Sequence, residues 1–304
     1  MDVTVAICTW NRCQRLDRTL GQLHRLELPA GLRWEVVVVD NGSTDATQAV
    51  IQRHAAALPI RGVLEPARGI SNARNCAVRH ARGEWIVWTD DDVLVEPGWL
   101  AAYLAAIPAH PGAGFFGGPI FPQFEVAPPR WVVEALPRLR GVYSLRLLGD
   151  APFAFDASEL PYGANFAARA ELHRRYPYDP RIGRRGSSLL SGEESAVLEA
   201  MLAGGHPGWW VPGARVHHVI PAERLTARHV RAVAYGLGQT DEVLGLRPLA
   251  SASRSRIRLQ ALESEARWRI LGWGRPPERW VRHLIKSSYL WGRLAGEPGP
   301  GAVP

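Results

Sequence analysis

Hydrophobic positions in the first third of the chain alternate between two spacings. Val3 to Thr9 is a short, β-branched apolar run that reads as a strand, and Leu16, Leu20 and Leu23 follow at helical spacing, with Asn11 as the expected N-cap. Trp34 to Asp40 reads as a buried strand. A helix is expected from about Thr44 to Ala57, opened by Ser43-Thr44-Asp45, and a strand around Arg61 to Leu64. A helix from about Ser71 to Arg82 stops at Gly83, and Trp85 to Thr89 forms the next strand. This alternation predicts an α/β fold with a mainly parallel sheet flanked by helices.

The second half is less regular. Gly112 to Phe121 suggests a strand, Phe121 to Arg130 a loop, and Gly163 to Ala167 a return to ordered structure. Arg181 to Ser188 is basic and contains glycine, as a mobile loop would. Ser191-Gly192-Glu193-Glu194 opens a helix closed by Gly204-Gly205. Arg224 to Leu244 reads as one helix, broken or kinked near Gly236 and Gly238. Glu278 to Leu294 reads as a basic amphipathic helix with Trp280, Leu284, Trp291 and Leu294 near one side. Such a helix either packs on the catalytic domain or a second subunit, or lies on an anionic membrane. The tail from Gly296 to Pro304 reads as disordered.

Polar residues gather where the strands end. Thr9-Trp10-Asn11-Arg12 follows the first strand, Asp40-Asn41-Gly42-Ser43 the second, and Asp90-Asp91-Asp92 a later one. In open sheets of this type ligands bind beyond the carboxyl ends of the strands. Alternation along a strand predicts Asp90 and Asp92 on one face and Asp91 on the other. Converging carboxylates form a hard-oxygen site suited to Mg²⁺ or Mn²⁺ with substrate phosphates as further ligands. The competing reading is a solvated acidic turn before Pro97-Gly98.

Composition narrows the partners. Of 304 residues, 46% are hydrophobic and 21% charged, with no run long enough to span a bilayer and no recognisable signal peptide, so a cytoplasmic protein is expected, at most peripheral to the membrane. The three cysteines, Cys8, Cys13 and Cys76, lack metal-ligand spacing and fit a reducing compartment. The net charge of +7 is spread along the chain without a nucleic-acid module, so nucleic acid is not the expected partner. A nucleotidyltransferase reading lacks a glycine-rich triphosphate loop with a lysine near the amino terminus.

The ordered motifs Cys8-Thr9-Trp10-Asn11-Arg12, Val39-Asp40-Asn41-Gly42-Ser43, Gly69-Ile70-Ser71-Asn72-Ala73-Arg74-Asn75, Thr89-Asp90-Asp91-Asp92, Gly163-Ala164-Asn165, Gly192-Glu193-Glu194 and Val216-His217-His218 carry a family signature. Together they resemble the family 2 glycosyltransferases, inverting enzymes of the GT-A fold, a Rossmann-like mainly parallel sheet. The resemblance implies a catalytic domain over residues 1–222, with a nucleotide-sugar half to about 120 and an acceptor half from about 121. A helical extension over 223–304 follows. It implies a nucleotide-sugar donor, Mn²⁺ or Mg²⁺, and a glycan, lipid-linked or small-molecule acceptor. UDP-sugar is the expected donor, with GDP- or dTDP-sugar as alternatives. A silent nucleotide- or lipid-binding relative is the non-enzymatic alternative, and a homo-oligomer is compatible with the pattern.

Residue by residue, the resemblance gives Asp40 the base N3–H, Thr9 a place beside the base, and Asn11, Arg12, Asn41 and Ser43 places around the nucleotide. Arg74 steadies the ribose or diphosphate. Asp92 binds metal, Asp90 meets the ribose or a metal-bound water, Asp91 lies beside them, and His218 is a further metal ligand. Asn165 meets sugar hydroxyls, with Tyr162, Trp209 and Trp210 as stacking candidates. Glu194 is the expected base and Glu193 the substitute. Against Glu194 stands a capping box, because Ser191 lies three residues before it.

Overall fold

The computed structural model describes residues 1–186, 189–245, 251–272 and 276–296, and side chains at 251–253 are left out. The chain forms β1 (Val3–Thr9), α1 (Cys13–Leu23), β2 (Trp34–Asp40), α2 (Thr47–Ala55), β3 (Ile60–Leu64), α3 (Ile70–His80) and β4 (Trp85–Asp90). Next come β5 (Val93–Val95), α4 (Trp99–Ala109), β6 (Phe115–Gly117), β7 (Ile120–Phe124), α5 (Arg130–Leu139), β8 (Asn165–Arg169) and α6 (Ala170–Arg175). The chain continues through α7 (Glu193–Ala203), β9 (Gly208–Trp210), β10 (Val216–Ile220), α8 (Ala227–Val243), α9 (Ser251–Leu271) and α10 (Pro277–Ala295).

A seven-stranded sheet runs in the order β3-β2-β1-β4-β8-β6-β9. Strands β1 to β4 are mutually parallel, β8 is antiparallel to β4 and β6, and β6 pairs parallel with β9. The valines of β2 show why both faces must be covered. Val36 and Val38 enter one core layer with Leu16, Leu20 and Trp99, while Val37 and Val39 enter the other with Ala73, Ala77 and Leu198. All four valines are fully buried, as expected for a strand sandwiched between helices.

A second sheet joins β5, β10 and β7 in that order. The expected loop at Phe121 to Arg130 is in fact the edge strand β7 as far as Phe124, and an edge position tolerates Pro122. The strand expected from Gly112 to Phe121 divides into β6 and β7 at Gly118-Pro119. Helix α4 went unread because Trp99 to Ile107 contains no charged residue to define an outer face.

The chain falls into two compact units. One comprises residues 1–123, 144–180 and 193–219; the other comprises 124–143, 181–192 and 220–304. Within the second unit, Gly238 and Gly292 mark close backbone approach between α8 and α10. A Cβ on Gly238 would lie 2.0 Å from the Tyr289 carbonyl, and one on Gly292 2.0 Å from that of Tyr235. These glycines let two helices touch, and α8 runs unbroken through the expected kink. On α10, Leu284 is buried, Trp280 meets Trp131 at 5.4 Å, and the Trp291 indole donates to Glu265 at 3.0 Å. The stripe expected on this helix is therefore a packing face. Residues 187–188 of the expected mobile loop, and 297–304 of the expected tail, lie outside the described residues.

Candidate functional site

Sheet register brings the strand ends level. Thr9 pairs with Asp40 across β1 and β2, and Cys8 pairs with Asp90 across β1 and β4. The second sheet adds His218, which pairs with Val93 and so lies beside the turn at Asp91 and Asp92.

The first two strand ends are tied to each other. Asn11 adopts a φ of 52°. Its amide donates to Ser43 Oγ at 2.9 Å, and its Oδ1 accepts from the Thr44 amide at 2.7 Å. The expected Asn11 cap is thus replaced: Arg12 is the residue before α1, and the Cys13 amide donates to Asp45 Oδ2 at 3.0 Å. Asp40 is buried, accepting from the Ser43 amide at 2.7 Å and Gln48 Nε2 at 2.6 Å. Asn41 donates to the carbonyls of Glu65 and Ala67 and accepts from the Gly69 amide. It therefore fixes the loop that leads into α3.

The acidic triplet departs from simple alternation because β4 ends at Asp90 and the chain turns. Asp91 and Asp92 are both buried, and Asp90 is the open member, with its side chain 37% exposed. Asp91 accepts from Thr9 Oγ1 at 2.7 Å and Arg12 Nη1 at 3.0 Å. Burial raises its carboxyl above the usual carboxylate range, helped by the charge of Asp92 and against the pull of Arg12. The Thr9 hydroxyl is therefore spent on Asp91 beneath the crevice. Asp92 meets Arg12 Nη1 at 3.3 Å, Arg15 Nη1 at 3.8 Å and His218 Nε2 at 3.5 Å. His217 instead pairs with Glu96 at 2.9 Å and stacks on Phe121.

Arg74 is buried on α3 between the rings of Trp88, 5.1 Å away, and Tyr178, 5.6 Å away. Its ion pairs are long: Asp90 Oδ1 lies 3.6 Å from Nη2, and Glu193 Oε1 3.6 Å from Nε. Among the described residues, Arg74 Nε and Nη1, the Tyr178 hydroxyl and the Thr89 hydroxyl are buried without hydrogen-bond partners. Burial at this density costs energy unless a ligand satisfies the groups. Gly163 makes room for the arginine, since a Cβ there would lie 2.3 Å from Nη2. The Gly163 amide then donates to Glu194 Oε1 at 3.3 Å. Glu194 stands in the first turn of α7, where the helix dipole favours a carboxylate. The capping box does not form, because the Ser191 amide donates to Thr240 Oγ1 at 3.0 Å.

Asn165 corrects the sequence reading most clearly. It is fully buried, accepting from Trp99 Nε1 and Tyr103 Oη at 2.8 Å each and donating to the carbonyls of Pro119 and Ala214. All four hydrogen-bonding positions of the amide are filled inside the protein, so it has none to offer a sugar. Trp210 is likewise core, Trp209 stacks on His110 at 3.8 Å, and Arg146 lies over Tyr162. Sequence reasoning missed the Trp88–Tyr178 clamp on Arg74. No local pattern announces it, since Tyr178 is far from both partners in sequence.

Asp92 Oδ1 and His218 Nε2 face each other at 3.5 Å, and the carboxylate of this pair is the ligand type that suits Mn²⁺ or Mg²⁺. Among the described residues no set of three or more His, Cys, Asp or Glu is placed to hold a metal alone. Phosphate and water would complete the coordination, as is usual for these ions.

The family model described as glycosyl transferase family 2 matches residues 4–159. The chain is similar to the succinoglycan biosynthesis protein ExoM of Rhizobium meliloti (strain 1021), 25% identical over 253 residues, covering 79% of this chain and 74% of that protein. It is also similar to validoxylamine A glucosyltransferase of Streptomyces hygroscopicus subsp. jinggangensis (strain 5008), 36% identical over 167 residues. That match covers 52% of this chain and only 38% of the relative. Among solved structures, the mannosyltransferase PcManGT from Pyrobaculum calidifontis superposes with a TM-score of 0.61 at 20% identity, covering 95% of this chain and 86% of that one. S. aureus TarS gives 0.54 at 15% identity, covering 96% and 90%. These two likenesses show a shared GT-A fold.

Proposed function

Because the chain belongs to glycosyl transferase family 2 and is a glycosyltransferase, we propose that it transfers a sugar from a UDP-sugar to an acceptor hydroxyl with inversion. The acceptor class is a glycan, a lipid-linked sugar or a small molecule. The observation that carries this reading is the buried Arg74, with two nitrogens lacking hydrogen bonds, set at ion-pair distance from Asp90 and Glu193 beside Glu194. A guanidinium so placed is a receptor for diphosphate oxygens. Structures of TarS with UDP-GlcNAc, and of PcManGT with GDP-Man and Mn2+, support a nucleotide-sugar donor.

In the proposed reaction Glu194 removes the proton from the acceptor hydroxyl as its oxygen bonds to the anomeric carbon. The bond from that carbon to the diphosphate breaks on the opposite face, and the nucleoside diphosphate leaves with the electron pair. Arg74 receives its growing charge, and Glu193 and the two rings hold Arg74 in place. Asp92 and His218 would hold the metal, which would supply Lewis-acid charge stabilisation at the phosphates. Arg12 balances the paired charges of Asp91 and Asp92.

The test is Glu194→Gln, assayed for turnover and for donor binding together. A turnover loss of about 10² to 10⁴ with unchanged donor affinity is the result expected of a base. Unchanged turnover would remove Glu194 from that role.

A further inference from the structure

Helix α9 carries two apolar faces. Ala261 and Ser264 are buried and Ile257 and Trp268 half-buried, at helical spacing on the inward side. Opposite them Leu259, Leu262, Ala266 and Ile270 form a second stripe at helical spacing. Leu259 is 68% exposed, Leu262 50% and Ile270 72%. The other large exposed apolar side chains, such as Leu64, Val126 and Leu237, belong to separate elements. Scattered residues of that kind are ordinary, whereas a contiguous stripe marks an interaction face.

Charge identifies the partner. At about 3.6 residues per turn, Arg256 and Arg267 border one edge of the stripe and Arg258 and Arg269 the other, all exposed. Glu263 and Glu265 pair along the helix with Arg267 and Arg269. The stretch from Ser251 to Leu262 contains five basic or apolar surface positions and no acidic one: Arg254, Arg256, Arg258, Leu259 and Leu262. No helix among the described residues is long and apolar enough to cross a membrane.

We propose that this face of α9 lies in the interfacial zone of an anionic lipid bilayer. Leu259, Leu262, Ala266 and Ile270 insert among acyl chains, and Arg256 and Arg258 keep their stems in the apolar layer and their guanidinium groups on lipid phosphates, while Arg267 and Arg269 stay paired with Glu263 and Glu265.

The full-length chain is to be sedimented at low salt with phosphatidylcholine vesicles and with phosphatidylcholine–phosphatidylglycerol vesicles. Binding only to the anionic vesicles, weakened by salt, is expected. Leu259→Ser, Leu262→Ser and Ile270→Ser combined should lower the partition coefficient at least about tenfold. Arg256→Gln with Arg258→Gln should also lower it about tenfold or more. Absence of binding to anionic vesicles, equal binding to both kinds, or binding untouched by the apolar substitutions would overturn the proposal. So would a dimer, seen by sedimentation velocity, that the same apolar substitutions convert to monomer. Neither readout uses turnover, so failure here is separate from failure of the transferase reading.

Discussion

The strand-end site has two rims, and they are wired in opposite ways. On the rim of β1 and β2, Asn11, Asp40, Asn41 and Ser43 spend their polar atoms on neighbouring loops at 2.6 to 2.9 Å. On the rim of β4, α3 and α7, Arg74 meets its carboxylates only at 3.6 Å and keeps unpartnered nitrogens. Saturated polar groups hold loops in position, whereas buried groups left short of partners store binding capacity for a ligand. The comparison supports a reading in which the first rim supplies architecture and the second the proposed donor chemistry.

Removing the carboxylate proposed to face the metal should do the most damage. Asp92→Asn is expected to lower turnover about a thousandfold, as loss of a charge-stabilising group in the transition state does; steady-state assay of purified variant and wild type checks it. A loss below tenfold would place the metal elsewhere. Next is a substitution that should act on stability alone. Asn165→Leu strands Trp99 Nε1, Tyr103 Oη and two carbonyls and should cost about 3 kcal/mol in urea unfolding. Donor affinity of the folded fraction should stay unchanged, and a specific loss of affinity would return Asn165 to the sugar site.

Arg74→Lys keeps the buried charge but loses the fork, so nucleotide Kd should rise about tenfold by calorimetry. A last prediction concerns His173, which accepts from Trp88 Nε1 at 2.9 Å and is held down to about 3 by burial and by Arg74. Its folded value lies below the unfolded 6.5, so its contribution to stability is full above pH 6.5 and is lost as pH falls toward 3. Urea unfolding should weaken by about 1.4 kcal/mol per pH unit in that window. His173→Gln, which keeps an acceptor for Trp88, should flatten that slope; an unchanged slope would assign it to other groups.

Much of this was legible in the chain. The β-branched runs and helical leucines predicted β1 to β4 and the helices between them, because burial on two faces leaves strong periodic marks. The acidic triplet, Arg74 and the paired glutamates stood out as motifs at element ends. The roles within them did not. Asp91 and Asp92 share Arg12 because the strand stops at Asp90, before the alternation that would part them. Asn165 looks like a ligand contact in sequence because an exposed amide and a saturated core amide are written with the same letter. Helix α9 was hidden for a different reason: two opposed apolar stripes cancel the one-sided pattern by which amphipathic helices are read.

The most direct test of the two-rim account is calorimetric binding of UDP, with GDP and dTDP as comparators, in Mn²⁺ and in chelator. The account predicts that UDP binds with Mn²⁺ and loses most of its affinity in chelator, because in the proposed reaction Asp92 and His218 would hold the ion and Arg74 would hold the diphosphate. UDP binding that is indifferent to chelator, or absent under both conditions, would contradict it.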